Sequence, residues 1–496
     1  MKLFKRILGT LTSAVCAVTV CIPLLGSEAS AATSGTAGYL TYTVYDNYVE
    51  ITDCDSAAPN VNIPSEILNL PVTKIGESAF ENCSVLSEVT IPDSVIVIES
   101  HAFFGCENLV SAAIPSSVTS IGDNAFTATA LLEGQSGPVY YVSTWAVKSD
   151  NATSVEIKSG TVGIADNVFS NCGLQTLSIP NTVKIIGNYA FFGNSDLRTV
   201  SVPSSVRTIG TGAFAECSSL LQLALSSGIE SIGSKAFYNC NLLETIKIPD
   251  SVNKIGQDAF TYTKAYSSQI GPVIYIDTWV VNCLDSTTNL SITINSGTKG
   301  IADGTFEDKN FVTAVSIPSG VTIIGDKAFD NCSALSQITI PESTVKIGSY
   351  AFANTLIPNV VVPESVSVIG FCAFYGCSNL TDITIKNPKC SINDSPYTIN
   401  STAKMHVFDK SSAYDYAIKY NRTFDYLTIE KPPVFVLGDV NSDGQIDVFD
   451  AIAIAQYTVG KIKFTPAQEA LADFNKSGKV DVFDAIAIAK YTVSPH

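Results

Sequence analysis

Two short acidic stretches in the last 60 or so residues have the spacing of calcium-binding loops. The first set of side chains, at positions 1, 3, 5, 6, 9 and 12 of such a loop, is Asp439, Asn441, Asp443, Gly444, Asp447 and Asp450. The second set, 34 residues later, is Asp473, Asn475, Ser477, Gly478, Asp481 and Asp484. Calcium needs six or more oxygens around a tight turn, and the position-7 carbonyls of Gln445 and Lys479 add one to each set. The sequence therefore predicts that two calcium ions bind here.

Helices must hold these loops in place. The same nine residues, DVFDAIAIA, overlap the end of each loop and predict helices over 448–457 and 482–491. Pro432-Pro433 before the first loop excludes the usual EF-hand entry helix and marks a linker at 431–437. Between the loops, Thr465-Pro466 with Gln468 is typical of a helix start, so a short middle helix is expected.

Two loops, each followed by an exit helix and each with Asp at position 12, resemble a type I-like dockerin over about 434–494. The resemblance implies a small all-α calcium-binding domain, 438–496, that binds a cohesin of a scaffoldin protein. It assigns the cohesin contacts to positions 10 and 11 and one helix residue of each unit: Val448, Phe449, Gln456, Val482, Phe483 and Lys490. The alternative is that these apolar side chains pack between the two helices.

The rest of the sequence is organised by a repeat marked by a phenylalanine every 22 to 23 residues, with two longer gaps. The marks are Phe80, Phe103, Phe126, Phe169, Phe191, Phe214, Phe237, Phe260, Phe306, Phe329, Phe352 and Phe374. A unit this short cannot bury its own apolar face, so successive units must stack into a solenoid.

The pattern L-x-x-I-x-I-P-x-S-V-x-x-I-G-x-x-A-F-x-x-C, as in Leu86–Cys106, resembles the BspA-like bacterial leucine-rich repeats. The resemblance covers about 61–385 and implies an α/β, β-rich leucine-rich-repeat solenoid of about 12 repeats. The expected order is an N-terminal cap region at 32–60, the solenoid at 61–387 and a C-terminal cap at 388–430. Within that cap, 411–420 is expected to be helical.

The two longer gaps hold inserts near 130–160 and 264–297 that are copies of each other. The stretch Gly137–Trp145 returns 134 residues later as Gly271–Trp279. One interpretation is an extra rung that buries its aromatic residues. The other is a pair of protruding edges that grip a ligand through Trp145 and Trp279.

Thirteen cysteines are present, and Cys16 and Cys21 fall in the predicted signal peptide, which leaves an odd number. A complete disulfide framework is therefore excluded. Seven of the others follow a repeat phenylalanine by three residues, which indicates small buried hydrophobic residues with free thiols.

Lys2, Lys5 and Arg6 precede an apolar run that ends before Ala29-Ser30-Ala31, the pattern of a signal peptide at 1–31. An uncleaved anchor is the alternative; no later stretch could span a bilayer. Secretion is therefore expected. Asp and Glu outnumber Lys and Arg by 46 to 29, which disfavours nucleic acid and anionic membranes as partners.

The residues that are predicted to point outward from the strands have small, almost uncharged side chains, as at Thr90, Ser201 and Thr384. We find no catalytic constellation in the sequence, and Asp166 and Asp303 are single carboxylates. The leading hypothesis is a non-catalytic, secreted cellulosome-type component whose dockerin binds a cohesin and whose array binds a protein or polysaccharide. The alternatives are a polysaccharide-degrading enzyme that carries a dockerin, and a structural spacer or surface adhesin.

Overall fold

The structure, a computed structural model, describes residues 33–427, 437–441 and 445–493. Backbone contacts divide the chain into two units, one up to Tyr426 and one from Leu427. The first is a β-solenoid of about 16 turns, and the second is a small helical region. The predicted signal peptide at 1–31 and most of the predicted linker at 431–437 lie outside the described residues.

Each turn of the solenoid begins with a short strand that pairs in parallel with the strand of the turn before. The pairing places isoleucine on isoleucine, as in Ile75, Ile98 and Ile121, and these side chains are buried. The strands are Leu70–Ile75, Val97–Ile98, Ser120–Ile121, Gly163–Ile164, Ile185–Ile186, Thr208–Ile209, Ser231–Ile232, Lys254–Ile255, Gly300–Ile301, Ile323–Ile324, Lys346–Ile347, Val368–Ile369 and Ser391–Ile392.

Three antiparallel hairpins divide this column into three sheets of seven strands each. The two predicted inserts form the hairpins Val139–Val142 with Trp145–Ser149 and Val273–Ile276 with Trp279–Cys283. A short helical turn precedes each, Ala130–Leu132 in 3-10 form and α1 at Lys264–Ser267. The third hairpin, Leu40–Val44 with Val49–Cys54, lies in the N-terminal cap region and has the same register shift. Thr33–Ala37 extends it, and Glu66–Ile67 pairs with the next strand.

A second column of strands forms another side of each turn, with alternating buried and exposed residues. Val200 and Val202 face the core, while Ser201 between them is exposed. The strands are Asn60–Asn62, Glu88–Thr90, Ser111–Ala113, Ser154–Glu156, Thr176–Ser178, Thr199–Val202, Gln222–Leu225, Leu290–Thr293, Val312–Ser316, Gln337–Ile338, Asn359–Val362, Asp382–Ile385, Lys404–Val407 and Phe424–Tyr426.

A stack of tight turns closes the third side around the repeat phenylalanines. Their rings lie parallel in the core, with centroids 4.8 Å apart for Phe80 and Phe103 and 5.5 Å for Phe214 and Phe237. In all twelve turns the residues two before and two after the phenylalanine have positive φ. This left-handed geometry favours asparagine and glycine. It explains why one of these two residue types often lies two residues after the phenylalanine, as at Asn82, Gly105, Asn239, Asn331 and Gly376.

The solenoid has about four more turns than the 12 repeats predicted from phenylalanine spacing. The extra turns contain the strands Val49–Cys54, Trp145–Ser149, Trp279–Cys283 and Ser391–Ile392, and they lack the phenylalanine mark. The expected helix of the C-terminal cap is observed as α2, Ser412–Lys419, with Ser411 as its N-cap. It buries Ala413, Tyr416 and Ala417 against the last turns.

The second unit contains three helices in its described part: α3 at Val448–Thr458, α4 at Pro466–Ala472 and α5 at Val482–Val493. These confirm the predicted helices. Thr465 and Gln468 form the expected capping box of α4. A small core between the helices holds Ala451, Ile454, Leu471, Ala485 and Ile488.

Candidate calcium loops and partner-binding faces

The first candidate loop is closed by the carboxylate at its last position. Asp450 Oδ1 accepts hydrogen bonds from the backbone N–H groups of Val440, at 2.9 Å, and Asn441, at 3.1 Å. Its Oδ2 accepts from Asp447 N–H at 2.9 Å. Burial raises the pKa of Asp450. Position 12 therefore ties the start of the loop to the start of α3, while Asp443 and Gly444 lie outside the described residues.

The second loop repeats this arrangement. Asp484 Oδ1 accepts from Asn475 N–H at 3.0 Å, and its Oδ2 accepts from Asp481 N–H at 2.9 Å. Asp473 accepts from the N–H groups of Ser477 and Gly478, both at 2.8 Å. Gly478 has φ +86°, the conformation in which glycine is preferred for the sharp bend.

The chemistry of this donor set fits calcium. The Ser477 hydroxyl donates to the Lys479 carbonyl oxygen at 3.1 Å, so two of the predicted ligands lie side by side. Carboxylate oxygens that accept one N–H retain lone pairs for a cation. In the described part of the chain, no three His, Cys, Asp or Glu side chains lie close enough to hold a metal ion. The three aspartates of the second predicted set, Asp473, Asp481 and Asp484, are therefore not gathered around one point, and the other predicted ligands there are the Asn475 amide, the Ser477 hydroxyl and the Lys479 carbonyl oxygen.

Capping fixes the residues that follow each loop. Asp447 accepts from Phe449 N–H at 2.7 Å, and Asp481 accepts from Phe483 N–H at 2.8 Å. Each Val-Phe pair is thereby held in the first turn of its helix. The helices bury the side that carries Ala451 and Ile454, or Ala485 and Ile488, so the pairs lie elsewhere on the surface.

The six predicted partner residues are all exposed on α3 and α5. Val448 and Phe449 are 51% and 64% exposed, and Val482 and Phe483 are 48% and 66% exposed. Gln456 and Lys490 are also exposed, roughly two helical turns after Val448 and Val482. The alternative that the Val-Phe pairs pack between the helices is therefore wrong, because Ala451, Ile454, Leu471, Ala485 and Ile488 fill that space.

Two further apolar residues belong to these faces and were missed in the sequence. Ile452 and Ile486 lie one helical turn after Val448 and Val482, and they are 46% and 43% exposed. The run Ile-Ala-Ile-Ala in each helix does not indicate which isoleucine faces inward. We call Val448, Phe449, Ile452 and Gln456 the first face, and Val482, Phe483, Ile486 and Lys490 the second face.

In the solenoid, the ligand-binding interpretation of Trp145 and Trp279 needs correction. Both rings are buried, with 2% and 0% of their surface exposed, and each packs over a glycine of the next turn. A Cβ atom on Gly163 or Gly300 would lie 2.5 Å from the ring. The tryptophans thus fill the extra rung, as the first interpretation of the inserts had it.

The carboxylates that follow the inserts also have structural partners. Asp166 accepts from the backbone N–H of Asn188 at 2.7 Å and from its side-chain amide at 2.8 Å. Asp303 lies 3.4 Å from Lys254, which contacts Asp326 at 2.6 Å. Burial raises the pKa of Asp166 to about 6, and burial with the Asp326 charge raises that of Asp303 to about 6. Both carboxylates bridge successive turns.

Comparison with protein families agrees with this geometry. The family model described as "BspA type Leucine rich repeat region (6 copies)" matches residues 55–136, 141–267 and 284–422, which is more than half of the chain. The model "Dockerin type I domain" matches residues 437–492. A dockerin implies a cohesin partner, and both domain types are non-catalytic and typically extracellular.

Among solved structures, the chain is similar to a leucine rich cell surface protein from Faecalibacterium prausnitzii A2-165. The identity is 24% over 80% of this chain and 96% of that chain, with a TM-score of 0.28. A leucine rich repeat protein of T. pallidum is 27% identical over 42% of this chain and 91% of that one, with a TM-score of 0.24. The pneumococcal vaccine antigen PcpA is 16% identical over 80% and 99%, with a TM-score of 0.27.

A comparison with curated proteins finds no match. Among the described residues, no helix has both the length and the apolar character needed to cross a membrane. The chain belongs to the BspA type leucine-rich repeat family and carries a type I dockerin domain at residues 437–492, a combination that indicates a cellulosome-type protein-interaction component.

Proposed function

We propose that this protein is a non-catalytic, secreted component that binds a cohesin of a scaffoldin protein in a calcium-dependent way. The observation that carries this proposal is the pair of exposed Val-Phe dipeptides, each held in the first turn of a helix by a loop aspartate. A cluster of exposed apolar side chains on a small domain is typical of an interaction site.

Two calcium ions order the faces in this account. The ligands of the first would be Asp439, Asn441, Asp443, the Gln445 carbonyl, Asp447 and Asp450. Those of the second would be Asp473, Asn475, Ser477, the Lys479 carbonyl, Asp481 and Asp484. Several carboxylates in one short loop repel one another, and a cation removes that cost. Metal binding therefore supplies folding free energy to the helices that follow the loops.

Each face offers a partner an apolar strip with a polar end. In the first face, Val448, Phe449 and Ile452 cover about one and a half turns of α3, and Gln456 follows. A cohesin that buries Val448 and Phe449 at the start of α3 would gain most of its affinity from these two side chains. Gln456 and Lys490 differ in charge, so they would affect orientation and association rate more than affinity.

The array is proposed to bind a protein or a polysaccharide. Supporting this, the second strand column presents an extended row of small exposed residues, including Thr90, Ser201 and Val361. Such a surface is open along its length and has few charges to desolvate. Binding screens on residues 33–427, against cell-wall glycans and against proteins secreted alongside, would identify the class of ligand.

The proposed function is tested by binding the purified full chain to a panel of type I cohesins, with calcium present and after chelation. We expect binding that chelation abolishes and that Asp439→Ala combined with Asp473→Ala also abolishes. Asp196→Ala, an exposed carboxylate in the solenoid, is the matched control and should bind normally. Binding that survives chelation, or no binding to any cohesin, would contradict the proposal.

A further inference from the structure

Lys254 lies between two aspartates that come from later turns of the solenoid. Its Nζ is 2.6 Å from Asp326 Oδ2 and 3.4 Å from Asp303 Oδ2. All three side chains are largely buried, with 20%, 28% and 15% of their surface exposed for Lys254, Asp326 and Asp303. An amine and a carboxyl group that are 72 residues apart in sequence are thus in contact, with a second carboxyl group beside them.

Backbone N–H groups fix how the two carboxyl groups face the lysine. Asp303 Oδ1 accepts a hydrogen bond from Asp326 N–H, and Asp326 Oδ1 accepts one from Ser349 N–H, both at 2.8 Å. The Asp303 N–H donates to the Ile255 carbonyl oxygen at 2.9 Å, which holds this turn beside Lys254. Each carboxyl group therefore has Oδ1 bound to the backbone and Oδ2 directed at the amine.

The first copy of the duplicated block has the same backbone frame without the amine. Asp166 accepts from Asn188 N–H at 2.7 Å, and its own N–H donates to the Ile121 carbonyl oxygen at 2.9 Å. Ser120 occupies the position of the lysine, and Asn188 occupies that of the second aspartate. The fold therefore forms without the lysine and the second aspartate, which distinguish the second copy.

We propose that Lys254 and Asp326 are a modification site, at which the two side chains condense to an isopeptide bond. Lys254 Nζ attacks the carboxyl carbon of Asp326, the Nζ–Cγ bond forms, and the bond from Cγ to Oδ2 breaks. Of the three protons on the ammonium group, one stays on the amide nitrogen and two leave with Oδ2 as water. No oxidant, reductant or further reactant is needed, because the ion pair contains all the atoms of the amide and of one water.

The contacts assign a role to each neighbouring group. Attack on the carboxyl carbon places negative charge on Asp326 Oδ1, where the Ser349 N–H stabilises it. Asp303 Oδ2 is close enough to Nζ to accept a proton from it and to deliver one to the leaving oxygen. Burial raises the pKa of Asp303 to about 6, so this carboxyl group takes up and releases protons near neutral pH. Because the fold holds the amine against the carboxyl group, its effective concentration there is far higher than in solution.

The bond would join two parts of the solenoid at an interruption of its strand column. The strand Lys254–Ile255 ends one seven-stranded sheet, and the second insert hairpin follows it in the chain. Asp326 comes from a turn of the next seven-stranded sheet, directly after the strand Ile323–Ile324. An isopeptide bond would therefore link these two sheets covalently, where backbone pairing between their strands is absent in the described structure.

The test digests the purified full chain with trypsin and searches for linked peptides by mass spectrometry. We expect one species that joins residues 248–264 to residues 310–327, because trypsin does not cleave after a modified Lys254. Its mass should be lower by one water than the sum of the two peptides. The proposal would be overturned if only unlinked peptides were found. A link at Lys74, which lies 2.8 Å from Glu99, in place of one at Lys254 would overturn it as well.

Three single variants test the roles of the side chains. Lys254→Arg keeps the positive charge but has no amine that can lose its proton, so it should abolish the link. Asp303→Asn keeps the acceptor for the Asp326 N–H but cannot carry a proton, so the link should form about 100-fold more slowly. Asp166→Asn, the same change in the first copy, is the matched control and should link as the wild type does.

A link that forms at the wild-type rate in Asp303→Asn would contradict the assigned proton transfer. Linked peptides 248–264 and 310–327 in Lys254→Arg would contradict the assignment of the amine. Tryptophan fluorescence reports whether each variant is folded, since both tryptophans are buried in the solenoid. If a variant does not fold, the peptide map of the wild-type chain still decides the outcome.

Discussion

The thiol of Cys240 donates a hydrogen bond to the backbone carbonyl oxygen of Phe214, 3.2 Å away in the preceding turn of the solenoid. Cys217 and Cys377 make the same bond to Phe191 and Phe352. Where asparagine replaces the cysteine, Asn194 donates to the Phe169 carbonyl oxygen at 2.8 Å. The cysteine column thus supplies buried donors to the turn stack, a role beyond the small hydrophobic residue that the sequence suggested.

Replacing Cys240 by valine should measure this contribution. The side chain keeps its approximate size but loses the donor, so we expect the free energy of unfolding to fall by about 1 to 2 kcal/mol. Cys172 is the control, because it is partly exposed and its sulfur is 3.7 Å from the Ser170 carbonyl oxygen of its own turn. Equal losses for Cys240→Val and Cys172→Val in urea unfolding would show that the bond contributes nothing.

The tryptophan over glycine contact allows a double-mutant test. Trp279→Ala should destabilise the solenoid by about 3 to 5 kcal/mol, because it empties a large buried site. Gly300→Ala should also destabilise it, since the new methyl group would meet the ring at 2.5 Å. In the Trp279→Ala background, Gly300→Ala should cost much less, because the obstacle is gone. Additive losses would mean that the two residues do not act on each other.

The buried carboxylates predict how solenoid stability depends on pH. The pKa of Asp166 is raised to about 6, so folding favours its protonated form. Asp166 therefore adds to the free energy of unfolding in full below about pH 4, the pKa of an aspartate in the unfolded chain. This stabilisation is lost as the pH rises through 6. Urea midpoints of the wild type should therefore fall over this window, and those of Asp166→Ala should fall less steeply. Identical slopes would contradict the assignment; Asp303→Ala gives the parallel test at the second insert.

Calcium removal should separate the two units by spectroscopy. Both tryptophans of the chain lie in the solenoid, so their fluorescence reports on that unit alone. Chelation should lower the helical circular dichroism signal of residues 437–493 and leave the tryptophan emission unchanged. The predicted calcium sites would be refuted if the dockerin region kept its helices after chelation. They would also be refuted if the solenoid unfolded on chelation.

Sequence spacing was enough to predict the solenoid, its phenylalanine column and the three dockerin helices. These features depend on periodic side chains and on capping residues such as Thr465, which act locally. The hairpin at Leu40–Cys54 was missed, because it shares its register shift with the two inserts but lacks their tryptophan. Tyr42, which follows that shift as Tyr141 and Tyr275 do in the inserts, was the only available sign.

Burial was harder to predict than the elements themselves. Val448 and Ile454 are both aliphatic residues of one helix, yet the first is half exposed and the second is fully buried. The difference depends on where α5 crosses α3, which is a tertiary relationship. The paired left-handed residues around each phenylalanine were likewise hard to predict, because residue types that rarely adopt positive φ, such as Lys235, Tyr262 and Cys372, share those positions with asparagine and glycine.

Titration calorimetry with calcium present decides whether two equivalent faces dock this protein to a cohesin. Three variants of the full chain are compared with the wild type: Val448→Asp with Phe449→Asp, Val482→Asp with Phe483→Asp, and all four changes together. Because both faces carry the same exposed Val-Phe and Ile pattern, either should substitute for the other. We predict near wild-type affinity for each single-face variant and loss of binding for the combined variant. Complete loss from one single-face variant, or binding by the combined variant, would contradict this account.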